Sequence, residues 1–363
     1  MSSIALRTNK NTNHMHAKDV YVSVIIPCRN EEKFIGICLD SILANDYPKE
    51  RLEILVVDGS SEDGTREIVE RYVEKYPFIR LLDNPKRIIP TAMNIGIKNT
   101  KGAIIMKIDA HSLYEKDYIS KCISFLNKYD ADNVGGLQVA IPRNNTIVGK
   151  AIVFSLSHPF GVGNSHHRLR PEKPLWADTA YSGCYRREVF DRIGLYDENI
   201  ARSEDVNINS RLREVGGKIL LVPEIVGYYY ARSKFSEFCK HNFDNGFWIN
   251  YPLKYGRKLF SWRHLIPLSF TVSLISAATL SVLSPIFFKL LVFILGMYFL
   301  INIYFSCKIS IKEKNLVYLV IMPIVFASLH IGYGLGSLAG LARVVSSKLF
   351  LVKRTEGRRR PCS

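Results

Sequence analysis

Hydrophobic residues are spread very unevenly along this chain, and that unevenness limits the folds open to it. From about His264 onward Leu, Ile, Phe and Val dominate in three runs, 265–283, 286–305 and 316–341. A stretch of about 20 apolar residues suffices to cross a bilayer. Soluble cores rarely hold uninterrupted apolar helices of that length. The last third is therefore expected to be membrane-embedded, in three or four segments over 264–345. The first two-thirds must fold separately.

That earlier part alternates short β-type runs with helical periodicity. Strands are expected at 22–27, 54–58 and 79–82, and in the run from Ala103 to Asp109. Between them, Phe34, Ile35, Cys38, Leu39 and Ile42, then Ile68, Val69, Tyr72 and Val73, recur at helical spacing, and a further helix is expected over 91–98. Strands alternating with helices imply a parallel sheet with right-handed crossovers. Beyond Tyr114 the rhythm loosens. Helices are expected at 117–128 and 205–214, strands at 133–140 and 218–222, a long loop at 157–174 and an amphipathic helix at 234–248.

The formal net charge is +16, which raises nucleic-acid binding as a possibility. The basic residues, however, do not interleave with a recognisable aromatic stacking module. Many flank the apolar runs instead: Lys254, Arg257, Lys258 and Arg263 before the first, and Lys348, Lys353, Arg354, Arg358, Arg359 and Arg360 after the last. Such residues mark cytoplasmic flanks and attract anionic lipid. Membrane lipids rather than nucleic acid are the expected partner. Residues 1–18 read as a disordered polar tail without the apolar centre of a signal peptide, so the first domain is expected in the cytosol. Seven cysteines are scattered with no Cys-x-x-Cys pair, which argues against a disulfide scaffold or a structural zinc site.

Three positions carry candidate chemistry. Asp58 ends an apolar run and is followed by the small residues Gly59, Ser60 and Ser61. Ligands in open α/β sheets bind beyond the carboxyl ends of strands, though an acid there also serves as a simple helix cap. Asp109 and His111 are two residues apart after another apolar run, so in an extended segment both face one way. Hard oxygen ligands suit Mg²⁺, while an imidazole shifts the preference towards Mn²⁺. Glu204 and Asp205 open an expected helix, where acids are favoured and where one of them could act as a general base. Gly161-Val162-Gly163 lacks the strand–turn–helix context of a phosphate loop.

The motifs Val24-Ile25-Ile26-Pro27-Cys28-Arg29-Asn30-Glu31, Val57-Asp58-Gly59-Ser60-Ser61-Glu62-Asp63-Gly64-Thr65, Ala92-Met93-Asn94-Ile95-Gly96 and Lys107-Ile108-Asp109-Ala110-His111 occur in that order. Together with Trp176-Ala177-Asp178-Thr179 and Glu204-Asp205-Val206-Asn207, they resemble family 2 of the inverting nucleotide-sugar glycosyltransferases. The later motifs and the apolar tail are most similar to the succinoglycan-type exopolysaccharide branch. The resemblance implies a GT-A fold: α/β, Rossmann-like, with a mixed, mainly parallel sheet over 19–250. An interfacial linker, 251–263, the transmembrane region and a basic tail, 346–363, would follow.

The same resemblance implies roles. Pro27, Arg29 and Glu31 would line a uridine pocket, and Asp58 would contact the base. Arg87 and Asn94 would lie near the nucleotide and its phosphates. Asp109 and His111 match the Asp-x-Asp metal motif, with His in the last place, as in the succinoglycan-type branch. Asp205, beside Glu204, matches the catalytic base, and Gly183 and Cys184 would sit on the acceptor side. The implied reaction moves a sugar from a nucleotide diphosphate sugar to a lipid-linked glycan with a divalent metal, Mn or Mg. The Gln-x-x-Arg-Trp motif of processive synthases is missing, so polymer extrusion is not expected. The alternatives are a polyprenyl-phosphate glycosyltransferase and a catalytically inactive membrane scaffold. Three crossings would put the basic tail outside, against the positive-inside tendency. Gly332, Gly334, Gly336, Gly340 and His330 are therefore expected to mark a broken or re-entrant last segment, or four short passes in all.

Overall fold

The computed structural model describes residues 20–258 and 261–357. The expected tail 1–18 and the end of the basic tail, 358–363, lie outside the described residues. Two compact units are present: 1–141 with 165–230, and 142–164 with 231–363.

The first unit opens with β1 (Val22–Cys28), α1 (Ile35–Leu43), β2 (Leu52–Asp58), α2 (Thr65–Lys75), β3 (Ile79–Asp83), α3 (Ile89–Lys98) and β4 (Ile104–Lys107). β5 (Ser112–Tyr114), α4 (Tyr118–Tyr129) and β6 (Asn133–Pro142) follow. The chain then forms α5 (Ile147–Leu156) and α6 (Pro159–Val162) in the second unit, and returns to the first through α7 (His166–Leu169). β7 (Leu175–Trp176), β8 (Tyr181–Arg186), α8 (Glu188–Ile193), α9 (Glu204–Glu214) and β9 (Ile219–Ala231) complete the sheet. Its order is β3-β2-β1-β4-β8-β6-β9-β5, with β7 on β9.

The first four strands are parallel, as their composition requires. In β1, Val24 and Ile26 enter one core and Ile25 the other, so both faces are covered. A strand covered on both faces reads as a continuous apolar run. Parallel pairing sets Cys28 opposite Asp58 and Ile25 opposite Lys107, which brings the carboxyl ends of β1, β2 and β4 to one rim. β4 with β8, β6 with β8, β5 with β9 and β7 with β9 pair antiparallel. Two expectations are corrected. The loop expected at 157–174 contains two short helices, α6 and α7. The strand expected to end at Val222 continues through Pro223 and Glu224 to Ala231.

The second unit adds α10 (Phe235–Asn250), a 3-10 turn (Tyr251–Tyr255), α11 (Trp262–Leu280), α12 (Pro285–Lys312) and α13 (Val317–Gly357). Among the described residues three helices are long and apolar enough to cross a membrane: α11, α12 and α13 up to Ser347. The expected break in the last segment is absent, because α13 is one continuous helix. Its glycines have another use. A Cβ at Gly336 would stand 2.0 Å from the Phe243 carbonyl oxygen, one at Gly340 2.5 Å from that of Phe247, and one at Gly246 2.0 Å from that of Tyr333. Small residues let α10 and α13 approach backbone to backbone. Gly336→Ala is therefore expected to destabilise this unit by about 1–3 kcal/mol through overpacking. The thermal midpoint of the detergent-solubilised full chain checks this, and an unchanged midpoint would mean the helices separate freely.

Candidate active site

The β1–α1 and β2–α2 loops are tied together at the rim. Asn30 N–H donates to Ser61 Oγ at 2.9 Å, and Glu62 N–H donates back to Asn30 Oδ1 at 2.8 Å. Glu31 N–H donates to Thr65 Oγ1 at 2.7 Å, and Gly64 N–H to Glu32 Oε2 at 3.1 Å. These bonds fasten the segment before α1 to the β2–α2 loop, and α1 begins at Ile35. Asn30 itself has φ 55°, a left-handed conformation that asparagine tolerates better than most residues.

Asp58 lies under this paired loop, almost fully buried. It accepts the Ser61 N–H at 3.1 Å and the Ser61 hydroxyl at 2.5 Å, with Arg66 Nη1 3.5 Å away. The Cys28 thiol lies 3.8 Å from its Oδ1, and burial followed by the Asp58 charge pushes that thiol well up. Pro27 is half-buried beside it. Arg29 and Arg87 are more exposed, and each approaches Glu62, at 3.6 Å and 3.5 Å. Asn94 differs. It is buried, its amide donates to Tyr196 O and Glu198 Oε1 at 2.9 Å, and its carbonyl accepts the Tyr196 N–H. The whole side chain is committed to fastening the 196–198 segment onto α3. Lys86 completes the fastening at 2.7 Å from Glu198, whose carboxyl is held down at about 2 by these bonds.

Around β4 the arrangement centres on a residue that sequence reasoning did not single out. Lys107 is buried, and its Nζ stands 2.7 Å from Asp205 Oδ2, 3.0 Å from Glu204 Oε1 and 3.6 Å from Asp109 Oδ1. Three carboxylates from two distant segments thus converge on one ammonium. Burial opposes the Lys107 charge, but Asp205, Glu204 and Asp109 together hold its pKa well above the ordinary value. The signal was present in the sequence, since a lysine inside an apolar strand needs acidic partners.

Glu204 and Asp205 occupy the first turn of α9, where the helix dipole favours negative charge. Their exposure differs: the Glu204 side chain keeps 10% of its accessible surface and that of Asp205 40%. Asp205 is therefore the more accessible acid of the two. Burial, with Glu204 and Asp109 nearby, raises its carboxyl to about 6 against the pull of Lys107. Asp109 is fixed through its backbone, whose N–H donates to the Tyr114 hydroxyl at 3.0 Å. Cys184 is fully buried in the core, so the acceptor-side position implied for it is not one its thiol can occupy.

His111 and Glu31 make a pair of their own, Nδ1 to Oε1 at 2.9 Å, with Tyr229 edge-on to the imidazole. With Nδ1 as donor, Nε2 keeps its lone pair. A carboxylate on the far nitrogen is the usual support of a metal-binding histidine. Among the described residues no cluster of three or more His, Cys, Asp and Glu side chains forms a cage for a metal ion. The donor set nevertheless fits a divalent cation that takes much of its coordination from phosphate oxygens. Asp109 and His111 each retain about a quarter of their side-chain surface, 24% and 23%. One lysine also leaves the acids at β4 with excess negative charge.

Residues 23–194 match the family model described as glycosyl transferase family 2. The chain is 29% identical over 331 residues to the dolichyl N-acetyl-alpha-D-glucosaminyl phosphate 3-beta-D-2,3-diacetamido-2,3-dideoxy-beta-D-glucuronosyltransferase of Methanococcus voltae, across 89% of this chain and 98% of that one. It is 30% identical over 213 residues to the succinoglycan biosynthesis protein ExoA of Rhizobium meliloti, across 58% of this chain and 63% of that one. A mannosyltransferase from Pyrobaculum calidifontis, solved with GDP-Man and Mn²⁺, superposes with a TM-score of 0.59 at 18% identity, over 88% of this chain and 87% of the other. That likeness shows the fold, a GT-A-like sheet followed by C-terminal helices. With the motifs in order along the sheet and the family model matched over residues 23–194, the chain carries a glycosyl transferase family 2 domain.

Proposed function

We propose that this family 2 enzyme transfers a sugar from a nucleotide diphosphate sugar, UDP-linked by the motif resemblance, to a hydroxyl of a lipid-linked glycan in polysaccharide biosynthesis. The observation that carries the reading is the Lys107 ammonium holding Asp109, Glu204 and Asp205 at one end of the sheet. The acceptor class is supported by the dolichyl phosphate glycan and the succinoglycan pathway in the names of two relatives. The donor base and ribose are assigned to the tied loops, with Asp58 toward the base and Pro27, Arg29 and Glu31 around it. Arg87 is assigned to the diphosphate side. Asn94 acts indirectly there, through the 196–198 segment it fastens.

In this mechanism Asp205 takes the proton of the acceptor hydroxyl. The hydroxyl oxygen attacks the anomeric carbon from the face opposite the diphosphate, and the carbon–oxygen bond to the diphosphate breaks with its electron pair leaving on phosphate. Configuration inverts in the single displacement. Glu204, nearly buried, holds Lys107, and Lys107 holds Asp205 against its like-charged neighbours. Asp109 and His111 would hold the divalent cation, which when bound neutralises charge on the departing diphosphate.

The catalytic domain is placed on the cytoplasmic face, with 251–263 as the interfacial linker. Phe247, Trp248, Tyr251 and Tyr255 form a chain of ring contacts there, and Lys254 lies over Tyr251 and Tyr255. Aromatic and basic residues together suit the headgroup level.

Asp109→Ala is expected to abolish Mn²⁺-dependent binding of UDP, read by calorimetry on the full chain in detergent. Unchanged affinity would remove Asp109 from the metal. A panel of UDP- and GDP-sugars, assayed for metal-dependent nucleotide release with a lipid-linked acceptor, tests the reaction itself. A sugar–phosphate–lipid product in place of an extended glycan would overturn the acceptor assignment.

A further inference from the structure

Length and composition alone would count three crossings of the bilayer. We infer instead that the chain crosses twice, through α11 and α12, while α13 lies along the face by which that hairpin enters. This inference rests on the membrane reading given above.

α11 and α12 have the marks of a spanning pair. The turn between them, 281–284, carries no charge, and Val282 and Leu283 are 86% and 78% exposed. Between Lys289 and Lys308 in α12 there is no charged residue, a separation of about 28 Å at 1.5 Å per residue, close to the hydrocarbon thickness. The opposite ends of the pair are basic, with Arg257 and Lys258 before α11 and Arg263 in its first turn, and with Lys308, Lys312 and Lys314, Glu313 among them, around the end of α12. By the positive-inside rule those ends are cytoplasmic.

α13 has different neighbours. It starts just after α12 ends, hence on the basic side. Farther along, the Tyr333 ring stacks on His264, and Gly334 abuts Thr271 and Pro267, all within the first ten residues of α11. It also packs against the Tyr255 turn that precedes α11. So its first turns and its later part lie toward the basic ends of the hairpin, while Pro323 and His330 between them meet Asn302 and Tyr298 of α12 at 3.1 Å and 2.9 Å.

Its protein-covered side points the same way. The first half packs on α5 and α6, through Tyr318 against Phe154 and His330 against the Phe160 carbonyl oxygen at 2.7 Å. The second half packs on α10, through Gly336 and Gly340. α5 and α6 belong to a segment that leaves the sheet after β6 and returns to it before β7. α10 begins a few residues after β9. These elements cannot be far from the cytoplasmic face, and α10 exposes Lys234, Glu237 and Lys240 near its start. Charged side chains are costly along hydrocarbon, yet such elements flank α13 from about 318 to 340. The helix is also long for a crossing: 31 residues up to Ser347, about 46 Å. Its uncovered residues Val320, Ile324, Leu335 and Val345 are apolar, as a helix lying at the acyl boundary requires. Two crossings return the basic tail to the cytoplasmic side and remove the conflict that three create.

The test uses the full chain in sealed inverted membrane vesicles, with Cys239, Cys307 and Cys362 replaced by serine and single cysteines introduced as Glu74→Cys, Val282→Cys or Val345→Cys. A membrane-impermeant maleimide is expected to label Glu74→Cys and Val345→Cys, with labelling lost for Val282→Cys until detergent is added. Protection of Val345→Cys together with Val282→Cys would establish a third crossing and overturn the inference. Labelling of all three would mean that the hairpin does not cross, and the membrane reading would fall with it. Sugar transfer, measured separately, would be untouched by either result. Trypsin on the unmodified chain gives an independent readout: Arg343, like Arg257, is expected to be cut from outside these vesicles, and protection of Arg343 alone would overturn the inference.

Discussion

Asp205→Asn is expected to lower sugar transfer by about 10²–10⁴-fold, the usual contribution of a general base, with donor binding nearly unchanged. Asparagine keeps the shape of the side chain and can still face Lys107, but it cannot take a proton. Because Asp205 is raised to about 6, wild-type kcat/KM is expected to fall tenfold per pH unit below about 6, as the carboxylate is protonated and lost as a base. The acid limb should vanish in the variant, leaving a low, flat rate. Calorimetry with UDP and Mn²⁺ separates this from a binding defect. Transfer near the wild-type rate would remove Asp205 from the base role, and the neighbouring Glu204, with only 10% of its side-chain surface exposed, is too enclosed to substitute.

How much of this could be read from the chain depended on whether a residue's partners were local. Asp58 and Asp109 were legible because strands covered on both faces announce themselves as apolar runs, and each acid follows such a run. Glu204 and Asp205 were legible as the acidic first turn of a helix. β8 was not: Tyr181-Ser182-Gly183-Cys184-Tyr185-Arg186 has neither alternation nor a continuous apolar run, and only pairing with β4 and β6 makes it a strand. β9 was cut short because Pro223 and Glu224 look like a stop. Asn94 belongs to a recognisable motif, yet its bonds to Tyr196 and Glu198, more than a hundred positions away, are tertiary and leave no local trace. The glycines of α13 were read as breakers, when Gly336 and Gly340 face carbonyl groups of α10 and Gly334 faces Thr271 and Pro267 of α11. A glycine that admits another helix and one that ends its own look alike in sequence.

Lys107→Met is expected to cost the fold about 3–5 kcal/mol, the usual penalty for removing one partner of a buried ion pair. Methionine fills much the same volume as the lysine stem, so the loss is one of charge. It leaves Asp109, Glu204 and Asp205 facing one another without a cation. In the wild type the Lys107 pKa is raised on folding, so its contribution is complete below the unfolded lysine value near 10 and is lost only as pH rises beyond it. Neutral pH therefore shows the full effect. In the variant the clustered acids are harder to ionise in the folded state, so their destabilisation grows as pH rises and shrinks as pH falls. A thermal midpoint about 10 °C below wild type at neutral pH is expected for the detergent-solubilised chain, with the gap narrowing under acid. Adding Glu204→Gln should recover part of the loss, because it removes one of the repelling charges, and the double variant should be more stable than Lys107→Met alone. A single variant as stable as wild type at every pH would mean that the three acids do not depend on this cation, and Asp205 would then owe its position to the start of α9 alone.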